Sequence, residues 1–324
     1  MFTQSYKFRK FLHNLFPAVE SNYFCLFKDT KIIGAIPTFL IDGPQGQVVN
    51  SLPFFGSHGG IILDDLNDKT TKDALADSFS QFTLSLNLLS STVIDSVTGS
   101  PWEEPRTDGL LMNDYRTAQI SDLPKIAPRP EIEQQLMNSF HSKTRNMVRK
   151  GLKSGFLISH NNSTSNMNQM FNLHISNMSQ KIGGKAKPSN FVEAVLTVFK
   201  YDIEYRVYFA HVKGELASAL LLFYFKDQVE YFMPVIESRF KNLQPMSALI
   251  FTAMVDAVCE KNMKKWNWGG TRSDQNSLLG FKERWGSKST LYKYSTFVPG
   301  KKFLSNEELI NARNSYPFFY IQPQ

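Results

Sequence analysis

The alternation of apolar and polar positions along this chain changes period several times, and each change marks an element. Near the start, Tyr23-Phe24-Cys25-Leu26-Phe27 reads as a strand, Lys28 to Lys31 as a turn, and Ile32 to Ile41 as the return strand of a hairpin. Pro37 lacks a backbone N–H and predicts an edge position or a bulge in that second strand. Asp42 to Gly46 is a loop, and Leu52 to Leu63 is a glycine-rich turn leading into an apolar strand. Ala74, Leu75, Phe79, Phe82 and Leu86 fall on one face of a helix over residues 70–90, and Ser91 to Val97 reads as the next strand. Residues 98–135 are punctuated by Pro101, Pro105, Pro124, Pro128 and Pro130 and predict a domain connection, with Leu110–Met112 and Thr117–Ile120 as short strands inside it.

The second half carries a stronger pattern. Asn138 to Lys153 reads as one helix, stopped by Ser154-Gly155, and Phe156 to Ser159 as a strand. The Asn/Ser-rich stretch 161–168 supplies a cap for another helix, and 190–200 is a further one. Strands at 206–212, 216–225 and 228–236 are joined by tight turns, which makes an antiparallel meander. Met246, Leu249, Ile250, Ala253, Met254, Ala257 and Val258 then form a helical stripe over 245–262, followed by a strand at 264–268. The first half repeats this order more loosely. The pattern therefore predicts an α/β chain of two related domains, 1–135 and 136–324, each with a mixed, mostly antiparallel sheet flanked by helices.

Composition narrows the class. The 324 residues are 42% hydrophobic and 13% aromatic, with 27 Phe, enough for real cores. A net charge of +7 favours anionic partners without choosing among them. Cys25 and Cys259 sit in apolar patterns and suffice for neither a disulfide framework nor a cysteine metal site. The N-terminus has no apolar run after its charges and no stretch approaches a spanning helix, so a cytoplasmic protein is expected, with peripheral membrane contact left open.

Two segments stand out chemically. Lys143-Thr144-Arg145-Asn146-Met147-Val148-Arg149-Lys150, followed by Gly155, is a cationic helix. Trp268-Gly269-Gly270, followed by Phe281-Lys282 and Gly286, is a strand running into two glycines and then a short helix. With the meander around Gly214 and Ala217, and Arg239-Phe240…Pro245, these motifs span roughly 140–298. In order and spacing this region resembles the FemAB family and its relatives among the GCN5-related N-acyltransferases (GNAT). The resemblance implies tandem GNAT-like domains with a cleft near their junction, and transfer of an acyl or aminoacyl group to an amine of a cell-envelope precursor or surface polysaccharide.

It implies acyl-CoA or aminoacyl-tRNA as co-substrate and no tightly bound cofactor, with acyl-CoA favoured because no heptad-bearing coiled-coil arm is present. The expected acceptor is a nucleotide- or lipid-linked amino sugar; tRNA remains an alternative partner, and DNA is not one. Ordinary acetyltransferases cradle the coenzyme A pyrophosphate with a glycine-rich loop at a helix N-terminus. The matching stretch Arg239 to Ser247 has no glycine, and Pro245 removes one amide, which weakens such a cradle and argues against acyl-CoA; the resemblance implies donor contacts at Gln244, Met246 and Ser247.

Acyl transfer to an amine needs close positioning, donors for the oxyanion and a proton acceptor, but no covalent nucleophile. The family's Phe-Lys motif makes Lys282 the first catalytic candidate; the rival reading is a surface lysine favoured near a helix C-terminus. Asp274, in the loop after Gly269 and Gly270, is a candidate for the proton or the acceptor amine, the alternative being a loop-turn aspartate. His58 lies among glycines and has a pKa range suited to a base, the rival reading being an incidental histidine in a strand-end turn. Arg145 and Arg149, one turn apart, form a candidate phosphate clamp, the rival being a solvated basic face. Arg206 and Tyr231, on neighbouring meander strands, are candidate acceptor contacts by resemblance, as are Gly269 and Gly270 of the Trp-Gly-Gly motif. The histidines show no ligand spacing, so no metal is expected. A non-catalytic RNA- or anionic-lipid-binding module is the competing class.

Overall fold

The computed structural model describes residues 1–51, 58–97, 101–179, 185–300 and 303–323. The first half runs α1 (Tyr6–Leu15), β1 (Glu20–Lys28), β2 (Lys31–Gly43), β3 (Gly46–Asn50), β4 (Ile62–Leu63), α2 (Lys69–Leu84), β5 (Leu88–Ile94) and β6 (Gly109–Asp122). Then come α3 (Arg129–Ser139), α4 (Ser142–Lys153), β7 (Leu157–His160), α5 (Thr164–Asn177) and α6 (Phe191–Val198). The meander is β8 (Tyr205–Val212), β9 (Glu215–Phe225) and β10 (Gln228–Ile236), followed by α7 (Pro245–Cys259), β11 (Lys265–Arg272), α8 (Asn276–Glu283), β12 (Lys288–Pro299) and α9 (Asn306–Ser315). The expected α/β class is what the chain adopts.

All the strands join one 12-stranded sheet, ordered β1-β2-β3-β5-β12-β6-β11-β10-β9-β8-β7, with β4 on β2. Both halves place a parallel pair across a helical crossover: β3 with β5 around α2, and β10 with β11 around α7. The last strand of each half is exchanged. β6 lies beside β11, β12 lies beside β5, and the two exchanged strands pair with each other from Gly109–Pro299 to Ile120–Lys288. The proline-rich stretch 98–135 therefore holds one long central strand, β6, rather than two short ones in a connector.

Other expectations shift for local reasons. The single helix over 138–153 is two, because Phe140 is extended and drives its ring edge-on against Trp285, at 4.9 Å. The His141 ring nitrogen then caps α4 by accepting from the Lys143 amide. Pro37 is neither on an edge strand nor at the β1–β2 bulge, which falls between Leu26 and Phe27. β2 has β1 on one side, and on the other β3 pairs only residues 39–43 and β4 only 34–35, so Pro37 falls in the gap where no ladder partner is lost. The helix read over 70–90 stops at Leu84 and the next strand starts at Leu88. The turn expected over 52–57 lies outside the described residues. The helices α1 and α9 and the strands β3 and β12 had no reading in the pattern.

Two cores sandwich the C-terminal sheet. On one face α1, α5 and α6 pack with Phe2, Phe11, Phe191, Phe209 and Phe223. On the other α3, α4 and α7 pack with Val148, Leu220, Leu249, Trp266, Trp268 and Trp285. α7 is buried nearly all round, which is why its sequence is almost continuously apolar. α4 crosses its N-terminus so closely that a Cβ on Gly151 would meet the Gln244 carbonyl at 2.5 Å.

Candidate active site

β10 and β11 pair in parallel only from Gln228–Lys265 to Glu230–Asn267, and then part. Both strands continue, so the sheet opens between Tyr231 and Trp268. The divergence is driven from β11. Its register against β6 slips between Asn267 and Gly270, and Gly269 sits at φ +76°, a left-handed conformation that glycine adopts without strain. The two glycines singled out in the sequence are thus the bulge that opens the sheet.

Two ionisable groups meet this opening from opposite faces. Lys282, near the end of α8, is only 3% exposed. Its Nζ donates to Thr271 Oγ1 at 2.7 Å and to the Gly269 carbonyl at 3.3 Å. It is therefore not the surface lysine of the rival reading, and burial pushes its pKa down to about 8. No carboxylate lies within ion-pairing distance of it among the described residues. Glu230, on the other face, is buried and accepts from Asn267 Nδ2 at 2.8 Å and Gln228 Nε2 at 2.7 Å. Burial raises its pKa to about 7, although both hydrogen bonds and the Met1 ammonium pull the other way.

The bulge connects the two groups. Asn267 donates to Glu230 and accepts from the Gly269 amide at 2.9 Å, and the Gly269 carbonyl accepts from Lys282. One side chain and the backbone N–H and C=O of one glycine thus link a carboxyl to an ammonium across the sheet. The residues flanking this link in sequence, Trp268 and Phe281, belong to one cluster of rings with Tyr231 and Trp285, the Tyr231 and Trp268 rings 5.0 Å apart. This aromatic wall lowers the local dielectric and strengthens the field of the ammonium.

The other candidates fall in different places. His58 is buried edge-on to Tyr292, at 5.0 Å. Tyr292 pairs with Arg116, whereas Lys282 holds Thr271, which pairs with the next residue, Thr117; successive side chains alternate faces, so His58 lies across the sheet from Lys282. Asp274 is exposed and chelated by Arg272 at 2.6 and 3.0 Å, which holds its carboxyl below the usual range and weakens it as a base. Arg149 points outward, while Arg145 turns back onto the Phe140 carbonyl and closes the end of α3, so the two do not form a paired clamp. Gln244 is the left-handed residue (φ 62°) before α7 and takes a hydrogen bond from Ser247, itself buried; Met246 is half-buried beside Ser218.

Arg206 is 3% exposed and fully engaged: Asp202 at 2.5 Å, Glu260 at 2.7 Å and the Tyr208 hydroxyl at 3.2 Å. Burial alone would lower its pKa, but these partners more than offset that and raise it. Its donors face the protein. Arg206→Met should cost about 3–5 kcal/mol, the range for breaking a buried ion-pair network, read as a fall in the denaturant midpoint.

Glu230 and Asn267 escaped the sequence reading. The available signal was an acid between Val229 and Tyr231 in a strand buried on both faces, where a carboxylate is costly without a purpose.

Residues 138–277 match the family model of the acetyltransferase (GNAT) domain. This stretch is a GNAT domain. Its chemistry is therefore acyl or aminoacyl transfer, and the structure of FemX has the same fold, with TM-score 0.66 at 13% identity over 96% of this chain and 94% of that one. L-PGS from Bacillus licheniformis gives 0.53 at 10% identity over 98% and 97%. A tandem GNAT protein from the clavulanic acid biosynthesis pathway gives 0.51 at 12% over 89% and 85%. At these identities the likeness is one of fold. No curated protein matches the sequence. Among the described residues no helix is long and apolar enough to cross a membrane and no group of side chains is arranged to hold a metal.

Proposed function

We propose that this GNAT-domain protein transfers an acyl group from an activated donor, acyl-CoA first, to the amine of an amino-sugar acceptor on the way to a cell-envelope polymer. The observation that supports it is the opening between β10 and β11 with a buried ammonium on one face and a buried carboxyl on the other. The donor carbonyl lies in the opening. The acceptor nitrogen attacks its carbon, Glu230 takes the proton from that nitrogen, and the ammonium of Lys282 faces the oxygen as it becomes negative. Collapse expels the thiolate and leaves the amide. Cys25, on β1, and Cys259, at the end of α7, lie away from the opening, in keeping with direct transfer and no acyl-enzyme. The two tandem units are read as 1–135 and 136–324, locked together by their exchanged strands.

One observation favours a second donor. The N-terminus of α7, where a pyrophosphate would be cradled, is overlaid by α4: Gly151 abuts the Gln244 carbonyl, and Ser154 Oγ donates to the Leu243 carbonyl at 3.1 Å. An aminoacyl ester on tRNA needs no such cradle and would instead meet the outward cations of α4, Lys143, Arg149, Lys150 and Lys153. The test is a thermal-shift and turnover panel of acetyl-CoA, longer acyl-CoAs and charged tRNA, with UDP-amino sugars as acceptors. Stabilisation by an acyl-CoA of about 2 kcal/mol or more at a hundredfold excess over Kd supports the first reading. Turnover only with charged tRNA replaces it by the second, and silence with every donor sinks both.

A further inference from the structure

A separate polar cavity of about 380 Å³ lies where the C-terminal segment closes over the middle of β6 and the end of β11. Its floor is Arg116 and Arg272, partners in the β6–β11 register, and its wall is Arg313 on α9 and Tyr320 beyond it. The wall is built in. Tyr320 exchanges two backbone hydrogen bonds with the fully buried Asn50 side chain, at 2.8 and 2.9 Å, and its hydroxyl donates to Asp114 at 2.9 Å. Tyr316 donates to the Gly46 carbonyl at 2.8 Å.

The charges in this cavity do not cancel. Asp114 holds Arg116 at 2.6 and 3.0 Å, while the Tyr294 ring stacks beneath that guanidinium, 4.8 Å away. Asp274 holds Arg272 through two parallel bonds. Arg313, half-buried, has no carboxylate within ion-pairing distance among the described residues, and burial and Arg272 both act against its charge. Among the described residues lining the cavity, three guanidiniums against two carboxylates leave one positive charge, on Arg313.

We propose that this cavity binds the carboxylate of a hydroxyl-bearing small molecule, in chemical class a sugar acid, with Arg313 as the carboxylate fork. A single uncompensated cation matches a single negative charge, and Asp114 and Asp274 would repel a phosphate dianion. Those same carboxylates and the Ser273 hydroxyl serve ring hydroxyls. Arg272 points to the Glu230 face of the sheet, because Thr271 before it points to Lys282. The cavity thus anchors the acceptor on the face from which its amine meets Glu230; this role, unlike binding itself, rests on the transfer reading above.

Binding is measured directly, by calorimetry or ligand-observed NMR, with glucuronate, glucose 6-phosphate and glucose on the wild-type chain, Arg313→Gln and Arg313→Lys. Glucuronate should bind at least about tenfold more tightly than glucose, the worth of a charge-assisted hydrogen bond, and Arg313→Gln should lose that margin. Arg313→Lys should keep part of it, because it keeps the charge without the fork. A melting curve on each variant separates lost binding from lost folding. Equal binding of glucuronate and glucose overturns the proposal, as does tighter binding of the phosphate or an unchanged margin in a folded Arg313→Gln. Loss of transfer in Lys282 or Glu230 variants with glucuronate binding intact would concern the chemistry alone.

Discussion

Replacing Lys282 by methionine should lower kcat/KM by about 10²- to 10³-fold, the range for removing one oxyanion donor, and should not lower the melting temperature. The two halves of this expectation have one cause. The lysine is 3% exposed, bonded to Thr271 and Gly269 with no acid beside it, so folding disfavours its ammonium and its pKa falls to about 8. A shift from the ordinary 10.5 corresponds to about 3 kcal/mol spent on keeping the charge below pH 8. The native state binds fewer protons than the unfolded chain between pH 8 and 10.5, so this group makes stability rise with pH across that window. Methionine matches the stem and carries no charge, so the variant should lose that slope and melt at or above the wild type at pH 7. Turnover within a few-fold of wild type would remove Lys282 from the chemistry; a large fall in melting temperature would mean that the ammonium is structural.

The contrast between Lys282 and Arg206 shows what the sequence could and could not tell. Both were cations in elements expected from the sequence, the short helix α8 after the glycine pair and the meander strand β8. Periodicity reports which face a residue occupies, not who else reaches that face. Arg206 meets Asp202 and Glu260, the second brought by the end of α7 far along the chain, while Lys282 meets only a hydroxyl and a peptide. The meander, α7 and the strand after it were legible because their patterns are local. β6 was not, because prolines around it mimic a connector and its partners, β11 and β12, come from the other half. The same exchange hid the cavity around Arg313, whose walls derive from the supposed connector and from a C-terminal segment without a reading. The glycine pair stood out as part of a motif, but its role in linking Asn267 to Lys282 depends on a register slip that no single-sequence pattern encodes.

Replacing Glu230 by glutamine should lower kcat/KM by about 10²- to 10⁴-fold, the range for loss of a general base, and should abolish the acidic limb of the pH profile. The wild-type profile is expected to be a narrow bell. Glu230 must be deprotonated to take the proton, so activity rises through about pH 7; Lys282 must be protonated to face the oxyanion, so activity falls through about pH 8. The glutamine variant's single amide oxygen can still accept from Asn267, and its NH2 can donate to Gln228 once the Gln228 amide flips, so the opening keeps its shape while the proton acceptor is gone. Stability provides an independent check with the opposite sign to Lys282. A carboxyl whose pKa is raised from 4.5 to about 7 keeps its proton in the native state across that window, so its contribution is fully present below 4.5 and is lost as pH rises through 7. Glu230→Gln should flatten that slope and, above pH 7, melt higher than the wild type by an amount set by about 3 kcal/mol. An acidic limb that survives in the glutamine variant would assign proton acceptance to another group, and a variant that is both slow and unstable at every pH would make Glu230 a support for the bulge rather than its base.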